Sequence, residues 1–139
     1  MLRKILFAHD GSSAADRALL YVEHLGREEE GEVVVVHAYE VPRRYATTDV
    51  YDELRETIEK AAWAVVDDAV GDLQSEDVLA RGIVREGPPA RVILETADEE
   101  NASLIVLGTR GPSSTAELLL GSVSTEVLRL ARCPVLAVP

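Results

Sequence analysis

Residues 33–38 read VVVVHA and residues 3–9 read RKILFAH. Both runs are short, and their apolar side chains fall on successive positions rather than alternate ones. That pattern predicts strands buried on both faces, as in a parallel sheet covered by helices on each side. Residues 103–107 (SLIVL) and 134–138 (PVLAV) read the same way, whereas 78–85 (VLARGIVR) is mixed and suits a strand nearer an edge. Helical patterns lie between them. Ser13 is placed to cap a helix carrying Ala15, Ala18, Leu19, Val22 and Leu25 at helical spacing. A long stripe from Val50 through Leu54, Ile58, Ala61, Ala62, Val65, Val66, Ala69 and Val70 to Leu73 predicts a second helix. Pro88 and Pro89 open a third, with Ala90, Ile93, Leu94 and Ala97 inward, and a fourth covers about 122–131. Strand and helix alternate four times before a last strand. The expected fold class is therefore α/β, a single doubly wound five-stranded parallel sheet with right-handed crossovers. No composition break divides the chain, so residues 1–139 form one domain. Residues 39–49 make the one long loop, expected over the carboxyl ends of the strands.

Composition narrows the function. Hydrophobic residues at 47% and charged residues at 28% describe a folded domain rather than a disordered one. No apolar run reaches the ~20 residues of a membrane span, and Asp10 interrupts the short apolar N-terminal stretch before any export signal could form. A soluble cytoplasmic chain is expected. Cys133 is the only cysteine, which excludes an intrachain disulfide and a multi-cysteine zinc site. Asp and Glu number 25 against 14 Lys and Arg, a net charge of -11 that repels nucleic acid and anionic membranes. Lys4 and Lys60 are the only lysines. Many acids with so little lysine fit either adaptation to concentrated salt, where self-repulsion is screened and stability rises, or a simply acidic protein.

In a doubly wound sheet, ligands bind outside the carboxyl ends of the strands where the winding reverses. Two such ends carry unusual residues. The first strand runs into Asp10, an acid set directly after a buried run. The fourth runs into Gly108-Thr109-Arg110-Gly111, followed by nine residues and then Gly121-Ser122 at the start of the last helix. Glycines there would let backbone N–H groups approach a ligand, a helix N-terminus favours phosphate, and Ser122 and Ser124 could add hydroxyl donors. His9, His24 and His37 are too dispersed for a zinc site, and His37 reads as a core or near-site residue. Neighbours along a strand face opposite ways, which argues against His9 and Asp10 as an acid–base pair. No Gly-x4-Gly-Lys-Ser/Thr loop is present. Trp63 reads as a packing residue or interface anchor, and Cys133 as buried and inert.

Three stretches carry a family resemblance: KILFAHDGSSAADRAL at the start, VVVVHAYEVP after the second strand, and GTRGPSSTAELLLGSVSTEVLRLARCPVLAVP at the end. The chain resembles the universal stress protein family from end to end. Gly108, Gly111, Gly121 and Ser122 match that family's nucleotide-binding pattern, Gly-x2-Gly-x9-Gly-Ser, without a break. The resemblance implies a Rossmann-like sandwich of the adenine nucleotide alpha hydrolase type, with ATP or AMP held between the first and fourth strands. It implies Ala8 beside the adenine, backbone groups of Ala38 at the adenine edge, and Asp10 at the ribose or at a Mg²⁺ or Mn²⁺ ion on the phosphates. Gly108, Arg110, Gly111, Gly121, Ser122, Val123 and Ser124 would surround ribose and phosphates. It also implies a homodimer joined through 134–138, a run that would otherwise leave an apolar sheet edge bare.

The departures from the family pattern are Pro112 and Glu117, where many members that carry the motif place basic residues. Arg110 is then the only cation in 108–122. Each missing charge-assisted bond could cost ~1.5–3 kcal/mol, so weak, metal-dependent binding or a bias toward fewer phosphates is expected. The resulting expectation is a stress-response regulatory protein that acts through its nucleotide-bound state, with hydrolysis slow or absent and no catalytic residue assigned. The alternatives are a weak metal-dependent ATPase in which Asp10 holds the metal, and a partner-binding module whose glycine loop is vestigial.

Overall fold

The computed structural model describes residues 1–45, 49–109 and 121–139, with the side chain of Tyr45 left out. Arg110, Gly111, Pro112 and Glu117 therefore lie outside the described residues. The elements run β1 (Lys4–Ala8), α1 (Ser13–Glu29), β2 (Glu32–Tyr39), α2 (Tyr51–Ser75), β3 (Ala80–Glu86), α3 (Pro89–Glu100), β4 (Leu104–Gly108), α4 (Ser122–Leu130) and β5 (Val135–Val138). The five strands form one sheet in the order β3-β2-β1-β4-β5, and every pairing is parallel. The expected α/β class, strand count and winding are those observed.

Alternate residues of each central strand feed two separate cores. Ile5, Phe7, Val33, Val35 and Val106 pack against Ala18 and Val22 of α1 and Val66, Ala69 and Leu73 of α2. Leu6, Ala8, Val34, Val36, Ile105 and Leu107 pack against Ile93 and Ala97 of α3 and Val127 of α4. Double-sided burial is the reason these strands read as unbroken apolar runs. β3 lies at one sheet edge, as its mixed sequence suggested, and β5 at the other.

Details differ from the sequence expectation. The N-cap of α1 is Ser12, not Ser13: Ser12 is extended (φ -82°, ψ 163°) and its Oγ accepts the Ala15 N–H at 3.2 Å. A capping side chain must sit one residue outside the helix to reach back to the third amide, and Ser13 is already helical. The α2 stripe buries only Ala62, Val66, Ala69 and Leu73, because ten residues overfill one helical face; Val50 is left 52% exposed. Trp63 stays partly exposed and lies over Gly82 of β3. Cys133 is half-buried rather than buried, and burial raises its thiol above the ordinary value. Of residues 39–49, expected as a loop, Tyr39 instead ends β2 and packs with Val41 against Ala62 of α2, while 46–48 lie outside the described residues.

Gly108, at the carboxyl end of β4, is fixed by packing. A Cβ there would fall 2.8 Å from Ala14 Cβ and 2.9 Å from backbone atoms of Ala14 and Ala15. Backbone cannot give way as a side-chain tip can, so Gly108→Ala should push the first turn of α1 off the sheet. A loss of about 1–3 kcal/mol is expected, the usual cost of overpacking. Chemical denaturation measures it, and an unchanged midpoint would show that α1 does not need the close approach.

Candidate functional site

β1 and β4 are parallel neighbours at the middle of the sheet, with Ala8 beside Leu107. From β1 the chain winds outward through β2 to β3, and from β4 it winds the other way to β5. The crossovers diverge there and leave a crevice that no helix fills. A cavity of about 280 Å³ opens at that point, near the lower bound of roughly 300 Å³ for small-ligand pockets. Ala8, Val36, Ile93, Leu107 and Val123 make its apolar walls, while Asp10, Thr109 and Ser122 add polar groups. Of the residues expected from sequence, Ala8, Asp10, Ala38, Gly108, Gly121, Ser122, Val123 and Ser124 all line this one cavity. Arg110 and Gly111 fall outside the described residues.

The β1–α1 turn is held by its own side chains. The His9 N–H continues the β1–β2 pairing by donating to Val36 O at 3.0 Å. His9 Nδ1 accepts the Gly11 N–H at 3.0 Å, so Nε2 carries the proton and donates to Asp16 Oδ1 at 3.2 Å. The His9 partner is thus Asp16 rather than Asp10, in keeping with the strand geometry. Asp10 Oδ1 accepts the Ser12 N–H at 2.9 Å, and Gly11 takes φ +82°, the left-handed region that glycine adopts without strain. His37 Nδ1 donates to His9 O at 2.7 Å, which makes His37 a near-site residue that buttresses the turn. Asp10 is exposed at the cavity, and its second carboxylate oxygen has no hydrogen-bond donor among the described residues. The described residues hold no cluster of three His, Cys, Asp or Glu able to bind a metal. One carboxylate with the remaining ligands from phosphate and water is a sufficient set for Mg²⁺.

The opposite wall is the first turn of α4. Gly121 is its N-cap, with φ -76° and ψ 169°, and among the described residues no side chain caps the helix. The amides of Ser122, Val123 and Ser124 therefore have no intrahelical acceptor, and the helix dipole adds partial positive charge there. Gly121 N–H donates to Thr109 O at 2.5 Å, tying the start of α4 to the end of β4. Two sequence expectations change. The Ser124 hydroxyl is buried and turned toward Thr109 O (3.2 Å) and Gly121 O (3.1 Å), so it closes the turn and is spent as a donor; only Ser122 keeps an exposed hydroxyl. Gly108 is glycine to admit Ala14 on the far face of the sheet, and only its backbone borders the cavity.

Sequence reasoning missed Val36, Ile93, Leu107, Pro89 and Thr109 as lining residues. Four of them carry no chemical signal and come from strands and a helix far apart in sequence. Thr109 alone was inside a motif already in view.

A doubly wound parallel sheet with a cavity at its switch point is an α/β architecture in which small ligands commonly bind. The chain belongs to the Universal stress protein family, whose family model matches residues 1–139. It is 37% identical over 147 residues to the universal stress protein YxiE of Bacillus subtilis, covering 99% of each chain. The solved structure of MJ0577, from Methanocaldococcus jannaschii, superposes with a TM-score of 0.90 at 28% identity, over 99% of this chain and 96% of that one. A universal stress protein from Archaeoglobus fulgidus, solved in complex with dAMP, shares the fold at a TM-score of 0.70 and 22% identity, over 100% of this chain and 98% of that one.

His9 is 7% exposed, and burial holds its imidazole below the ordinary value of 6.5 despite the opposing pull of Asp16 and Asp10. The unfolded chain then binds a proton more readily than the folded one. Stability from neutral His9 is complete above about pH 6.5 and is lost as pH falls below it. Replacement by asparagine, which keeps an acceptor for the Gly11 amide but does not titrate, should remove this loss. Melting curves of wild type and His9→Asn should therefore converge as pH drops from about 7 to 5. A difference independent of pH would mean that His9 is not held neutral by the fold.

Proposed function

We propose that this chain is a cytoplasmic stress-response regulator whose state is set by a bound adenine nucleotide, AMP or ATP, at the cavity between β1 and β4. One observation carries the reading: an apolar crevice wide enough for a base opens directly onto the uncapped first turn of α4. Aromatic base and anionic phosphate are the two chemistries those walls receive. The dAMP complex of the Archaeoglobus protein supplies a precedent on the same fold. The adenine lies against Ala8 and the Ala38 backbone. Ribose and phosphates follow toward Gly108, Gly121, Ser122, Val123 and Ser124, with Arg110 and Gly111 completing the motif. Asp10 serves the ribose or a divalent ion, Mg²⁺ or Mn²⁺, and that ion would offset phosphate charge beside Asp10.

The chemistry of the cavity favours binding over turnover. No lysine or arginine lines it among the described residues. The His9 ring is occupied by Gly11 and Asp16, which leaves it no free acceptor for a proton. A ligand with few phosphates suits such a site, and ATP depends more heavily on the metal.

The two sheet edges support a homodimer through β5. β3 carries Arg81 and Arg85, whose guanidiniums reach Glu32, Glu100 and Glu99, and charged side chains blunt an edge. β5 is Val135–Val138 with no charge in it, so it is the edge left open to a second copy.

Calorimetry with AMP and ATP, with and without Mg²⁺, tests the nucleotide reading. Wild type should bind both, ATP gaining more from the metal. Gly121→Val should abolish binding while the melting curve persists, since φ -76° and ψ 169° suit valine and the added side chain stands at the cavity lining. Pro112→Arg should tighten ATP more than AMP. Wild-type protein that binds no adenine nucleotide would sink the reading in favour of a vestigial site, and turnover absent in Asp10→Ala would favour an ATPase. Light scattering should return twice the chain mass, and a monomer at micromolar concentration would remove the β5 interface.

A further inference from the structure

Among the described residues, five polar ones are buried: His9, Ser12, Thr96, Thr109 and Ser124. Four have their side chains engaged. His9 bonds Gly11 and Asp16, Ser12 caps α1, Thr96 donates to Val92 O at 2.6 Å, and Ser124 closes the α4 turn. Thr109 is the exception. Its Oγ1 is buried without a hydrogen-bond partner among the described residues.

The backbone of Thr109 is fully bonded. Its N–H donates to Val138 O at 2.8 Å, and its carbonyl accepts from Gly121 N and Ser124 Oγ. The residue is thus clamped between β5 and the start of α4 with one group left over. Strand alternation fixes the side it faces: Ile105 and Leu107 belong to the α3–α4 core, Gly108 backs onto Ala14 of α1, and Thr109 returns to the α3–α4 side, where it lines the cavity. Valine would fill the same volume with no unsatisfied hydroxyl, so threonine here costs stability that packing does not return.

We propose that the Thr109 hydroxyl is a ligand contact, donating to a phosphate oxygen seated on the first turn of α4. The inference rests on the nucleotide reading above and adds to it a specific residue. The Thr109 carbonyl accepts the Gly121 N–H that begins the helix, which ties the residue to the α4 terminus, and Thr109 lines the cavity together with Ser122, Val123 and Ser124, whose amides open that turn. A turn about χ1 interchanges hydroxyl and methyl without changing volume, which is enough to aim the donor at an occupant of the cavity.

The test compares AMP with adenosine, the same nucleoside without the phosphate, by calorimetry on wild type, Thr109→Val and Thr109→Ser. Thr109→Val should weaken AMP by at least about tenfold, the loss expected for one hydrogen bond to a charged acceptor. Adenosine should change by less than about threefold, and Thr109→Ser should return AMP to within about threefold of wild type on the same scale. The melting temperature of Thr109→Val should equal or exceed that of wild type, because a buried unsatisfied group has been removed. If the second methyl disturbs packing and the variant does not fold, Thr109→Ala provides the same comparison. AMP binding unchanged in the folded variant would overturn the proposal, as would an equal loss for AMP and adenosine, which would assign the hydroxyl to the nucleoside. Failure of wild type to bind AMP is a different result and sinks the underlying nucleotide reading.

Discussion

The parallel pairing of β1 with β4 is the constraint on which the rest of this molecule depends. Both strands are central, both are only five residues long, and both are covered on each face. Beyond Lys4, which opens β1 and pairs with Glu32 and Glu100 at the amino end of the sheet, their side chains must therefore be apolar and of the right volume, and the polar groups of the crevice lie just beyond their carboxyl ends. The same pairing forces the crossovers apart, since α1 covers one face of the sheet while α3 and α4 cover the other. The cavity is the space left by that divergence. The site thus follows from the winding of the chain before any ligand-binding residue is considered.

Neighbouring features serve this centre in opposite ways. On one face, α1 presses its first turn against Gly108 and fixes the exit of β4. On the other, the Gly121–Thr109 hydrogen bond brings the start of α4 back to that exit, although eleven residues separate the two in sequence. The β1 exit is stitched by His9, Asp10 and Ser12, each bonded to a backbone amide within three residues. Two rigid turns face each other across the cavity, and rigidity of this kind lowers the ordering cost when a ligand enters.

Most of the fold was legible because the strands are buried on both faces and the helices on one, which are the two patterns that sequence displays most plainly. The placing of Asp10, Gly121 and Ser122 at the cavity was legible because they follow strands or begin a helix. What escaped depends on neighbours distant in sequence. Ser124 looks like a donor until Thr109 O is placed 3.2 Å from its hydroxyl. Gly108 looks like a phosphate-binding glycine until Ala14 is packed against it. The choice of Ser12 over Ser13 turned on one residue of helix register, which periodicity does not resolve. Ile93 and Val36 give no chemical sign of lining a site at all.

The proposed anion site in a chain of net charge -11 raises a question of electrostatics, and the geometry answers part of it. Lysine is nearly absent, and among the described residues none of the cavity lining is cationic. Attraction for phosphate at the described wall must then come from oriented backbone amides, whose partial charges act at hydrogen-bond distance and decay within a turn. The carboxylates responsible for the net charge act over the Debye length, about 8–10 Å at ordinary ionic strength and about 3 Å in molar salt. Salt therefore suppresses the long-range repulsion of a nucleotide far more than it suppresses the short-range amide contacts. A site built from amides loses less to high salt than one built from exposed lysines. The two features that look contradictory, the strong acidity of this sequence and the phosphate site proposed at its last helix terminus, are physically compatible in a concentrated ionic medium.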